Sequence, residues 1–316
     1  VTTLTAKPPL GAPLPPAARP KPQKTRSIAS SRRLSLTVMT SPAVIWFLAF
    51  MIVPAISIFV VSLLDWQGLL AKSHFAGLEN YQKMLRDPVF WSAVRNTAVH
   101  VGVVLAIMIP VSFMLGYYLN TKPRGHRALR VLFFTPALLS ISARAMVFFG
   151  VFAPGGLVNG VLRAVGLGDI ATPWLADPST SLGVVIFIDL WAGIGFTAIL
   201  FAARLTSVPT EIYEAAELDG ASHWRKMWQV AFPIIKGYVG VVTMLQFLWT
   251  LFNSATTVLL LTKGGPGSSS TTLSFMVYNE AFIQSDIGYS QAIGVVLFVV
   301  GLVGMLIISR LIRQNY

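Results

Sequence analysis

Tyr238-Val-Gly-Val-Val-Thr-Met-Leu-Gln-Phe-Leu-Trp-Thr-Leu-Phe-Asn-Ser-Ala-Thr-Thr-Val-Leu-Leu-Leu261 contains no Asp, Glu, Lys or Arg. About 20 apolar residues in helical form cross the hydrocarbon core of a bilayer, and this run is long enough. Five comparable runs surround it: Ala43–Leu64, Thr97–Leu119, Val131–Phe152, Leu182–Ala203 and Ala292–Ser309. Among the Asp, Glu, Lys and Arg residues, only Arg144 in the third and Asp189 in the fourth interrupt them. The last run is short and extends to Ile312 if Arg310 snorkels to the interface. The expected fold is an all-α membrane protein with six transmembrane helices. Pro54, Pro110 and Pro136 lie inside three of these runs. Neighbouring groups in a membrane bundle re-satisfy the carbonyls that proline frees, so kinks rather than breaks are expected.

Composition agrees. Of 316 residues, 54% are hydrophobic and 11% charged, against about 25% charged in soluble domains. There is no Cys, which excludes disulfides and thiolate metal sites. The net charge of +12 would suggest nucleic acid in a soluble chain, but its placement says otherwise. Lys and Arg crowd residues 1–42, the 120–130 link, the 204–237 link and the tail with Arg310 and Arg313. The other links hold only Lys72, Lys83, Arg86, Arg95, Arg163 and Lys263. The positive-inside rule then places both termini in the cytoplasm and the chain in a plasma membrane as a multi-pass protein, with no nucleic-acid partner. The first apolar run is too long for a cleaved signal and is expected to remain as an anchor.

Residues 1–40 hold a run of prolines from Pro8 to Pro22 interleaved with Ala, Lys and Arg. Such a segment is expected to be a disordered or extended basic tail. It serves either as a spacer and topology signal or as a draw toward anionic lipid, at about 1 kcal/mol per basic residue near the surface. The 65–96 link alternates apolar and polar positions at helical spacing, with Asp87-Pro88 as a helix start. It is expected to form two short helices on the outer surface. The remainder, 41–316, is expected to be one six-helix unit.

The 205–237 link carries the most definite pattern, Ser207-Val-Pro-Thr-Glu-Ile-Tyr-Glu-Ala-Ala-Glu-Leu-Asp-Gly-Ala-Ser-His-Trp-Arg225. Pro209 suits a first helical turn, and Glu211 and Glu214 suit the positive end of the helix dipole. Gly220 suits the left-handed residue after a helix. Ser222 can cap a second helix running to about Val230, limited by Pro233. An amphipathic link between two spans would satisfy the same physics.

Glu214-Ala215-Ala216, then Asp219-Gly220-Ala221, then Val230-Ala231-Phe232-Pro233 resembles the EAA loop of bacterial ABC importer membrane subunits. Where that family often has a second proline, Lys236-Gly237 stand here. Phe75-Ala-Gly-Leu-Glu-Asn-Tyr81, Phe90–Thr97, Leu261-Thr-Lys-Gly-Gly-Pro-Gly267, Thr271-Thr-Leu273 and Gly288-Tyr-Ser-Gln-Ala292 are similar to the carbohydrate-uptake branch, of the maltose and glycerol-3-phosphate type. The resemblance covers about residues 40–316. It implies a type I importer fold and a coupling loop in which Glu214, Ala215, Ala216, Asp219, Gly220 and Ala221 meet an ATPase. It implies as partners a second homologous permease subunit, two cytosolic ATPase subunits carrying ATP and Mg, and an external solute-binding protein.

The chain itself shows no engine. No G-x-x-x-x-G-K-[ST] motif is present, and Gly264-Gly-Pro-Gly267 lacks the following Lys-Ser/Thr. His74, His100, His126 and His223 are scattered, so neither catalytic residues nor a metal site is expected. The chain is not expected to be an enzyme or to hold a cofactor. For the substrate path, Gln246, Trp249, Thr250 and Asn253 recur at i, i+3, i+4 and i+7, one helical face. Amides pair with sugar hydroxyls and an indole stacks on the apolar face of a sugar ring. Interhelical glue is the plainer role for such groups, at about 0.6 kcal/mol per bond. Asp189 and Trp191 join the candidates; an intramembrane charge needs a partner or water, and Asp189 could touch substrate, pair with Arg144 or face the lumen. The expected function is ATP-driven import of a sugar, a disaccharide or oligosaccharide. A secondary ion-coupled transporter and an importer of glycerol-phosphate-type solutes are the alternatives.

Overall fold

The structure is a computed structural model that describes residues 28–68 and 70–312. The expected tail up to residue 27, and Arg313, lie outside the described residues. The chain divides into two units, Val1–Pro54 and Ala55–Tyr316.

The first unit contains α1 (Ile28–Phe47), a π turn at Leu48–Ile52, and the start of α2 (Val53–Val61). The tail was expected to stay irregular to residue 40, yet helix begins at Ile28. After Pro22 no further proline intervenes until Pro42, and Ala, Arg and Leu are good helix formers. Pro54 follows the π turn directly, where a widened turn absorbs a missing N–H. Thr37–Val61 is long and apolar enough to cross a membrane.

The second unit is a helical bundle. A two-residue hairpin, β1 (Leu64–Asp65) with β2 (His74–Phe75), opens it. α3 (Glu79–Arg86) follows. The expected second surface helix does not exist separately. Asp87 caps α4, accepting from Val89 N at 2.8 Å, and α4 then runs unbroken from Pro88 to Asn120. Nothing between Pro88 and Thr97 stops a helix, so the surface turn and the span are one rod.

The third expected span is different. α5 (His126–Leu138) and α6 (Ile141–Val151) meet at a bend of 98°. Pro136 weakens the ladder, Leu139 turns extended, and Ser140 Oγ caps the new helix by accepting from Ala143 N at 3.2 Å. A broken pair replaces the expected kink. Among the described residues, five helices are long and apolar enough to span, or six if the broken pair counts as one.

After α7 (Leu157–Ala164), α8 (Ser181–Leu205) returns through the bundle. A Cβ on Gly195 would collide with the carbonyl of Phe133, so only glycine lets α8 lie this close to α5. The link then gives α9 (Thr210–Leu218), α10 (His223–Arg225), a π segment (Lys226–Ala231) and α11 (Phe232–Leu261). α12 (Leu273–Phe282) and α13 (Ile287–Ile312) complete the unit. On α13, Gly301 and Gly304 seat against the rings of Phe252 and Phe247.

Among the described residues, three larger apolar clusters and a small one of Val104, Met108 and Ile186 hold the bundle. At one end Met84, Phe90, Met276, Tyr289 and Ile293 join α3, α4, α12 and α13. In the middle Phe148, Val185, Ile188, Val258 and Phe275 join α6, α8, α11 and α12. At the link end Phe113, Tyr117, Phe201, Met227 and Ile235 join α4, α8, the π segment and α11. The motifs quoted above as separate matches meet at the first end. Asn96 Nδ2 donates to the carbonyls of Ser268 and Thr271, each at 2.9 Å. Thr97 Oγ1 accepts from Leu273 N at 2.9 Å, and Tyr289 Oη donates to Asp87 Oδ2 at 2.7 Å. These side chains tie the head of α4 to the loop before α12, to the start of α12 and to α13.

Candidate functional site

α11 carries a polar stripe because its sequence repeats polar residues at helical spacing. The structure brings Gln246, Trp249, Thr250 and Asn253 onto one wall of a cavity of about 340 Å³. Ser254 and Thr257 prolong the stripe. Asp189 and Gly193 on α8, Met108 on α4, and Ile141 and Arg144 on α6 close the other sides. Gln246 and Thr250 are buried, whereas Trp249 and Asn253 are exposed. Gln246 Nε2 donates to Thr197 Oγ1 at 2.9 Å, and Thr197 donates onward to the Gly193 carbonyl at 2.8 Å. One amide of the stripe is therefore fixed from behind by α8, which leaves Trp249 and Asn253 as its free faces.

Asp189 is held differently from the expectation. Its Oδ1 accepts from Thr257 Oγ1 at 3.1 Å. Its Oδ2 lies 3.0 Å from Nε2 of His100, at ion-pair distance although the hydrogen-bond angles are not met. His100 on α4 is 1% exposed. The partner of the membrane acid is thus a histidine that a tally of Asp, Glu, Lys and Arg passes over. Arg144 was one alternative partner. Its Nε is instead buried in the cavity wall with no hydrogen-bond partner. An ionisable group inside a membrane protein faces such an interior and needs an acceptor there.

Trp191 stands apart from the other candidates. Residues i and i+2 of a helix point to different faces, and Asp189 takes the cavity side. The Trp191 ring packs edge-on against Phe148, with centroids 4.9 Å apart.

The 205–237 link forms the second site. α9 ends as its sequence suggests: Gly220 adopts φ +74°. Gly220 N donates to Glu217 O at 3.0 Å and Ala221 N to Ala216 O at 2.9 Å, the paired bonds of a Schellman end. Ser222 Oγ accepts from Arg225 N at 3.3 Å and starts the next helix. That helix does not stop near Val230. Pro233 sits in the first turn of α11, where a π segment ahead of it removes the clash with the preceding carbonyl. His223–Leu261 is one continuous helical run. Glu214, Ala215, Asp219 and Gly220 are exposed, with Ala216 and Ala221 half-buried. Leu218 is 91% and Trp224 60% exposed beside them. Lys226 Nζ donates to Glu217 at 2.9 Å, and that bond holds the Glu217 carboxyl below its ordinary pKa. Burial pushes the Tyr213 phenol up. Among the described residues no group of three or more His, Asp or Glu is arranged to hold a metal ion.

Comparison with known proteins fits this architecture. Residues 108–314 match the family of binding-protein-dependent transport system inner membrane components. The chain belongs to this family. It is an ABC transporter permease, a multi-pass membrane protein rather than an enzyme. The permease is 33% identical over 83% of its length to the probable ABC transporter permease protein YurN of Bacillus subtilis, covering 90% of that protein. It is 31% identical over 91% of its length to the diacetylchitobiose uptake system permease protein NgcF of Streptomyces coelicolor, covering 88% of it. In fold it resembles a chain of a bacterial ABC transporter involved in import of the acidic polysaccharide alginate. There the TM-score is 0.78 at 23% identity, covering 91% of this chain and 98% of the other.

Proposed function

We propose that this permease is a transmembrane subunit of a binding-protein-dependent, ATP-driven importer of a disaccharide or oligosaccharide. The cavity carries the proposal. An exposed indole at Trp249 beside the amide of Asn253 offers a ring-stacking face and paired donors and acceptors, which is the chemistry that binds hydroxylated rings. The relatives named for sugar systems, such as the multiple sugar-binding transport system permease MsmF of Streptococcus mutans, point the same way.

In this reading both termini and the 205–237 link face the cytoplasm. A second homologous permease subunit completes the path, and a solute-binding protein delivers the sugar from outside. Two ATPase subunits carry ATP and Mg and dock on α9 and the turn into α10, where exposed Glu214, Leu218, Gly220 and Trp224 form the contact. ATP-driven closure moves the link, and the link turns α11, which forms one wall of the cavity.

The test is uptake of labelled oligosaccharide by cells expressing the whole importer. Trp249→Ala lowers uptake by about tenfold or more, as loss of a central aromatic anchor does, while the permease still inserts and assembles. Full uptake by that variant overturns the cavity as the path.

A further inference from the structure

A second cavity, of about 320 Å³, lies between the link and the bundle, where the ends of α4 and α8 face the first turn of α9 and the start of α10. Its lining contains Lys122, His223 and Lys226 and no acid. Lys122 holds a left-handed backbone at φ +52°, uncommon for a residue with a side chain, and has no ion-pair partner among the described residues. Lys226 gives one bond to Glu217, and an ammonium has three donors. Tyr213 Oη is buried at the cavity without any hydrogen-bond partner. A buried hydroxyl left unsatisfied calls for an explanation such as a missing ligand. Asn120 and Thr210 add neutral polar groups to the wall.

The geometry points to a binding site for a phosphate-bearing small molecule, such as a sugar phosphate, in this cavity. A phosphate group presents several strong acceptor oxygens and a double negative charge. The two ammonium groups and the phenol supply charge-assisted and neutral donors to it. The cavity is larger than a phosphate alone, and Asn120, Thr121, Thr206 and Thr210 offer polar groups to a hydroxylated body, with Leu205 and Val208 beside them. A ligand there touches α4 on one side and Tyr213 and Lys226 on the other. It ties the link to the bundle, and on the importer reading it therefore restrains transport. The binding itself does not depend on that reading.

The experiment uses the full chain in phosphatidylcholine nanodiscs, with glucose 6-phosphate and inorganic phosphate as probes and glucose as the neutral control. Binding is read by calorimetry and by the fluorescence of nearby Trp224 and Trp228. Glucose 6-phosphate and phosphate bind saturably and glucose does not. Lys122→Asn, which keeps a residue tolerant of the left-handed backbone, weakens binding about tenfold. Tyr213→Phe weakens it severalfold. In nanodiscs containing phosphatidylglycerol, displacement of glucose 6-phosphate identifies the lipid phosphate as the occupant of the same site, and unchanged affinity identifies a soluble ester. Absence of saturable binding by both phosphate probes overturns the assignment. So does equal affinity in wild type, Lys122→Asn and Tyr213→Phe when all three melt alike.

Discussion

The two ends of the bundle are finished to different standards. At the end where α4 begins, long-range polar side chains are paired: Asn80 with the carbonyls of Ser62 and Leu64, Asn96 with Ser268 and Thr271, Lys83 with Asp286. At the link end, Tyr213 Oη and Trp228 Nε1 are buried without partners, and Leu218 and Trp224 stand exposed. Of the five buried side-chain atoms without a hydrogen bond among the described residues, Arg144 Nε lies in the cavity wall, Tyr213 Oη and Trp228 Nε1 at the link end, and His100 Nε2 against Asp189, with Trp66 Nε1 the exception at the paired end. Satisfied polar networks make a region rigid and unique, whereas open ones await a partner. One end is a clamp built from its own chain, and the other is a surface to be completed by something else.

If that contrast is right, damage at the link end removes transport without unfolding, and damage at the clamped end unfolds without chemistry. The largest effect is expected from Gly220→Leu. A side chain at φ +74° strains the turn by about 1–2 kcal/mol and adds bulk on the exposed docking face. Oligosaccharide uptake falls to background while membrane insertion, checked by blotting of washed membranes, is normal. Asn96→Ala does the reverse. It strands the Thr271 carbonyl, at about 1–3 kcal/mol if no water reaches it, while the Ser268 carbonyl keeps the Thr271 N–H, and a thermal melt of the purified permease reads the loss. His100→Ala leaves Asp189 with Thr257 alone. Asp189 is 23% exposed toward the cavity, where water replaces part of the lost contact. The expected destabilisation is therefore smaller than that at Asn96, about 1 kcal/mol by the same melt. The smallest effect belongs to Glu217→Gln. Its lowered pKa means that the Lys226 pair stabilises the link fully above the ordinary value of 4.5, and that the contribution is lost as the pH falls through the folded-state value. Wild type and variant then differ slightly in melting temperature at pH 7 and converge in acid. A difference that grows in acid breaks this account.

The spans were legible because uncharged runs of about 20 residues have few other uses. The end of α9 was legible because Gly220 follows a helix that opens with Pro209 and Glu211. What failed to show were features set by contacts distant in sequence. The break at Leu139 needed Pro136 and Ser140 to be read as one device, a weakened ladder followed by a cap, rather than as a kink and a stray polar residue. His100 was hidden because its charge is conditional, and only the fold brings it to Asp189. The stripe on α11 could be read from spacing alone. Trp191 neighbours Asp189 in sequence but not on the helix surface, so it does not line the cavity.

The run from His223 to Leu261 has 39 residues, about 58 Å at 1.5 Å per residue. Trp224 at its base and Trp249 on the cavity wall are therefore mounted on a single shaft. A twist delivered at the base reaches the indole about 37 Å away, limited only by the give of the π segment at Lys226–Ala231. Turning such a shaft presents or withdraws a side chain without sliding one helix past another. The stroke of the machine would then be an angle rather than a displacement.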